Sequence, residues 1–108
     1  MRMDVDERGD WVVLVLTGEL THQVDDEFAA RVAGLVDAGK RQIALDLQAL
    51  NYLSSAGLGA LVRVTAMVNS QSGRVVIVNP SLFVAEILRT TKLDQFFEVA
   101  ASVDAIAR

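Results

Sequence analysis

Three short, predominantly apolar runs constrain this chain more than anything else in it: residues 11–17, 42–47 and 74–78, the first and last of them rich in β-branched side chains. A run of that length and composition suits a strand covered on both faces. Between the runs the period changes. Phe28, Val32, Leu35 and Val36 recur at helical spacing within 24–38, and so do Leu58, Leu61, Val62, Thr65 and Val68 within 57–70. After Asn79-Pro80 a third such segment carries Phe83, Val84, Ile87 and Leu88. Strands alternating with helices predict a sheet that is largely parallel, with the helices packed on it.

Punctuation along the chain fills in the order. Residues 3–7 alternate apolar and acidic, as a half-buried or edge strand does, and Arg8-Gly9-Asp10 is a turn, so the first two strands form a hairpin. Asp25, Asp26 and Glu27 suit the first turn of a helix, and Gly39 and Gly73 stop the two helices that precede them. Pro80 falls near the first position of the third helix, which ends near Thr90-Thr91-Lys92. Residues 96–99 read as a last strand, and 102–108 as a short terminal helix capped by Ser102. The expectation is an α/β fold, one mixed, largely parallel sheet with about four packed helices, forming a single domain over residues 1–108.

Composition narrows the function. Hydrophobic residues make up 52% and charged residues 22%, enough for a packed core. The net charge is −4 and the ten Lys and Arg are scattered, which argues against nucleic acid as a partner. There is no Cys, and His22 is the one histidine, so thiolate and histidine-rich metal sites are closed off; no metal or cofactor is expected. The N-terminus is polar, and the longest apolar run, 11–16, is far too short to span a bilayer. A cytoplasmic protein without membrane insertion is the expectation.

The segment 46–61 carries the candidate chemistry. It leaves a buried strand at Asp46, turns, and enters a helix through Ser54-Ser55-Ala56-Gly57-Leu58-Gly59. A serine at a helix entrance can cap unpaired backbone N–H groups, or it can carry a phosphate. Both readings stand for each serine; the working assignment has Ser54 cap and Ser55 face a partner. Gly57 and Gly59 permit either close helix packing or close approach by a partner. Val64 and Met67 are either core or an apolar contact patch beside Ser55, Asp46 braces the loop, and Thr21 and His22 follow another strand end. A serine hydrolase is disfavoured, because the loop has no Gly-x-Ser-x-Gly elbow and His22 is its sole possible imidazole base.

The order of elements and four segments resemble the STAS domain, in particular the free-standing anti-sigma factor antagonists. The segments are Gly18-Glu19-Leu20, Asp46-Leu47 with 52–59, Asn79-Pro80-Ser81, and 88–97. The resemblance implies a non-enzymatic binding module. Its partner would be an anti-sigma factor that is also a serine kinase, and a phosphoserine phosphatase would reverse the modification. Ser55 takes the place of the phosphorylated serine. Thr21, His22, Ser54, Ala56, Gly57, Leu58, Gly59, Val64 and Met67 would form the partner surface. Two positions depart from the best-known pattern: Ser54 and Thr21 stand where many members carry Asp. That departure keeps open a second role, a phosphorylation-independent adaptor bound to a transporter ATPase or a signalling assembly.

Overall fold

The computed structural model of the protein describes residues 1–106. Its six strands are β1 (Arg2–Arg8), β2 (Trp11–Leu20), β3 (Gln42–Asp46), β4 (Leu50–Leu53), β5 (Arg74–Val78) and β6 (Glu98–Ala100). Its three α-helices are α1 (Asp25–Asp37), α2 (Ser55–Ser70) and α3 (Leu82–Thr90). The strand order is β1-β2-β3-β5-β6, with β4 paired to β2. Among the described residues only the β1–β2 hairpin is antiparallel, closing with Arg8 opposite Trp11 around Gly9 at φ 61°. The other pairings are parallel.

The apolar runs are continuous because both faces of the sheet are covered. Side chains alternate across a strand. Leu14, Leu16, Ile43, Leu45, Val75 and Ile77 face the main core, where Phe28 and Val32 of α1 and Leu61, Val64 and Val68 of α2 meet them. Trp11, Val13, Ala44, Val76 and Val78 face the other way and are covered by the C-terminal segment through Val103 and Ile106. The Arg74 guanidinium lies 5.3 Å from the Trp11 ring centroid and also pairs with Glu98 of the edge strand. That pairing holds the Glu98 carboxyl below its ordinary range.

Strand β2 is long enough to pair twice. Val12–Val15 run beside β3, and after a register shift at Gly18 the last residues run beside β4. Gly18 has φ 108°, a conformation that favours glycine, and its N–H donates to Ala49 O. This bend carries the end of β2 toward the entrance of α2.

Several expectations need correction. Residues 50–53 form β4 rather than part of a loop, and α2 begins at Ser55 rather than Gly57. Helix α3 begins at Leu82 with Ser81 as its cap, so Pro80 stands before the helix. There is no fourth α-helix among the described residues. The terminal segment makes one 3-10 turn, Val103–Ala105, without a side-chain cap from Ser102, and Ala107 and Arg108 lie outside the described residues. The last strand is shifted to Glu98–Ala100 because a 3-10 turn, Leu93–Gln95, follows Lys92 at φ 62°.

Candidate functional site

The parallel strands bring the candidate residues to one edge. Asp46 ends β3, Leu20 ends β2, Leu53 ends β4 and Val78 ends β5, so the loops that follow open at the carboxyl end of the sheet. In open α/β sheets this is the end where ligands bind.

Leu20 sits opposite Leu53, and Leu20 O accepts from Ser54 N at 3.0 Å. A β-carbon on Gly57 would stand 2.2 Å from the same carbonyl oxygen. Gly57 is therefore bare because helix and strand touch there, which decides for its packing role. The contact also fixes Thr21 and His22 beside the serine loop, since they follow Leu20 directly. Thr21 is half-buried in a turn whose carbonyl accepts from Val24 N at 3.1 Å, and His22 is exposed.

The two serines divide the work available at the entrance of α2. Ser54 is the N-cap: its backbone is extended, and its Oγ accepts from Gly57 N at 3.1 Å. Its carbonyl accepts from Leu58 N at 2.8 Å, opening the helical ladder. Ser55 is the first helical residue and is exposed. Its hydroxyl takes no hydrogen bond from, and gives none to, any group among the described residues. Ala56, Leu58 and Gly59 are half-buried around it.

The underside of the loop is tied to the neighbouring strand end. Asp46 Oδ1 accepts from Gln48 N at 3.1 Å, and Asn79 Nδ2 donates to Asp46 Oδ2 at 3.4 Å. Ser81 N donates to Leu47 O, and Ser81 Oγ donates to Leu50 O at 3.0 Å. These bonds hold the 46–50 turn between β5 and the start of α3.

Two candidate contact residues do not join this cluster. Val64 is 1% exposed and belongs to the core, so its side chain meets no partner in this structure. The wide apolar arc of α2 is explained by α1, which packs on that side. Met67 is half-buried twelve residues beyond Ser55, about 18 Å along the helix axis. In their place, an unforeseen feature flanks the loop. Tyr52 and Phe83, each partly exposed, stack with ring centroids 6.2 Å apart. Tyr52 is exposed beside the buried Leu53, an arrangement that a four-residue strand does not reveal in its local spacing.

Among the described residues no cluster of His, Cys, Asp or Glu could hold a metal ion, and no helix is long and apolar enough to cross a membrane.

Comparison with known proteins agrees with this architecture. The STAS domain model matches residues 2–106, and the chain belongs to the STAS domain family. It is 29% identical over 107 residues to the candidate anti-sigma factor antagonist BtrV of Bordetella bronchiseptica, covering 99% of this chain and 92% of BtrV. The crystal structure of a candidate anti-sigma factor antagonist from Thermotoga maritima superposes with a TM-score of 0.87 at 23% identity, covering 95% of this chain and 89% of that one. The Bacillus cell-fate determinant SpoIIAA in its phosphorylated form gives 0.73 at 21% identity, covering 97% and 96%. At these identities the solved structures speak for the fold. The antagonists that the chain resembles are regulatory proteins without enzymatic activity.

Proposed function

We propose that this protein is an anti-sigma factor antagonist whose binding is switched by phosphorylation of Ser55. It binds an anti-sigma factor that is also a serine kinase, so the sigma factor is freed for transcription. The kinase transfers the γ-phosphoryl group of ATP to Ser55 Oγ; the bond to ADP breaks, and the serine proton passes to a base of the kinase. Binding then ends, and a phosphoserine phosphatase restores it by hydrolysis. The cytoplasm is where such partners would be met.

The observation that carries this reading is the division between the serines. Ser54 satisfies the helix end, so Ser55 is spared for a partner, exposed at the head of α2. A phosphate adds about −1.5 to −2 charges at neutral pH. The fold accommodates them at a solvent-facing helix N-terminus. An interface closed over Ser55 would have to desolvate them. A penalty of about 3 kcal/mol suffices to weaken binding more than a hundredfold. The contact surface around Ser55 is drawn from Thr21, His22, Ala56, Leu58 and Gly59. Ser54 and Asp46 shape the loop.

A second reading, the constitutive adaptor, is favoured by Ser54 and Thr21 standing where many antagonists carry Asp. One experiment separates the two. Wild-type, Ser55→Ala and Ser55→Asp baits are exposed to extract of the native cell, and retained proteins are read by mass spectrometry. A kinase-type ATPase held by the first two and lost with Ser55→Asp supports the switch. Equal retention of the same proteins by all three replaces it with the adaptor.

A further inference from the structure

The two glycines that flank Leu58 are bare for different reasons. Gly57 faces a wall, since its β-carbon would collide with Leu20 O. Gly59 faces none. Beyond its own helix backbone and chain neighbours, the atom that a β-carbon there would meet within 4 Å is Arg63 Nη1, at 3.7 Å. Packing does not require Gly59; what its missing side chain clears is the helix surface between Arg63 and Ser55.

We propose that Arg63 is the counter-cation of a phosphate on Ser55, reaching it over Gly59. The inference rests on Ser55 being the modified residue. Ser55, Gly59 and Arg63 are spaced by four, so each is the next residue's neighbour along the helix, with about 5–6 Å between β-carbons. Helical side chains lean toward the N-terminus. The Arg63 guanidinium accordingly lies back over Gly59, one turn closer to Ser55 than its own α-carbon. Arg63 is exposed and uncommitted: the carboxylates that pair among the described residues go to Arg2, Arg8, Lys40, Arg74 and Arg89. The first turn of α2 holds no acid to compete for it. A planar guanidinium matches phosphate oxygens better than an ammonium does.

The consequence for regulation is specific. Modification of Ser55 adds an anion to this face and, in the same event, withdraws the cation of Arg63 from it. A partner that reads either charge loses both features together.

The test uses the full chain with phosphoserine incorporated at position 55 by genetic encoding, so no kinase is needed. The second phosphate pKa is then followed by phosphorus NMR in the parent sequence, in Arg63→Gln and in Gly59→Leu. A neighbouring cation favours the dianion and lowers this pKa. The parent is expected to titrate about half a pH unit below both variants, in keeping with an exposed ion pair, and the gap should narrow at high salt. Gly59→Leu keeps the arginine and blocks only its path. Coincident titration curves in all three proteins would overturn the pairing. The pull-down with Ser55→Asp reports on the switch itself, so the two ideas fail separately.

Discussion

Helices α2 and α3 begin in the same way and end up doing different things. Each follows a strand end at the same edge of the sheet, and each is capped by a half-buried serine. Ser54 Oγ accepts from Gly57 N at 3.1 Å, and Ser81 Oγ accepts from Val84 N at 3.2 Å. They diverge one residue later. Helix α3 exposes Leu82, 91% accessible, whereas α2 exposes Ser55. The cap is thus generic architecture, and the residue after it decides what the helix entrance presents. Ser81 has a further structural duty, since its hydroxyl donates to Leu50 O, while among the described residues the Ser54 hydroxyl has no bond into a strand.

This contrast can be strained at several points, and the largest effect lies beside the cap of α2. Gly57→Ala should cost about 3 kcal/mol, because the new carbon meets backbone rather than a flexible side chain. Gly59→Ala, two residues on, should instead stabilise by roughly 0.5–1 kcal/mol, as expected for an unhindered glycine within a helix. Urea denaturation of the pair measures both, and equal destabilisation would refute the different roles given to the two glycines.

Next in size is Ser81→Ala. It removes a cap and the bond to Leu50 O, so a loss of about 2 kcal/mol is expected. Ser54→Ala removes the cap alone and should cost about 1 kcal/mol. Smallest is Ser55→Ala, expected to change stability by less than about 0.5 kcal/mol while abolishing any phosphate acceptance at that position. Thermal melts of the three alanine variants rank them. A Ser55→Ala loss as large as that of Ser54→Ala would mean that Ser55 also carries the helix end.

The main alternation of strand and helix was legible because both faces of the sheet are covered and each helix has one buried stripe. The β1–β2 hairpin was legible from Gly9. Strand β4 was not, because four residues between a strand and a helix carry no usable period. Its pattern, buried at Leu50 and Leu53 and exposed at Asn51 and Tyr52, makes sense only against the bend at Gly18 that brings β2 alongside. Pro80 and Ser81 compete for the start of α3, and the serine prevails because it can accept from Val84 N, which proline cannot. At the site, the serine pair could be found from its place before a helical run. The burial of Val64 depends on how α1 crosses α2, and the stacking of Tyr52 on Phe83 on how α3 meets β4. Neither is written in local spacing.

The claim on which the rest depends is that Ser54 holds the helix and Ser55 receives the phosphate. Isolating the protein from its native cells under conditions that turn its pathway off, and mapping phosphate by peptide mass spectrometry, tests it most directly. Phosphate on Ser55 with Ser54 unmodified is the expected result. Phosphate on Ser54, or an unmodified pair in every condition in which the pathway responds, would contradict it.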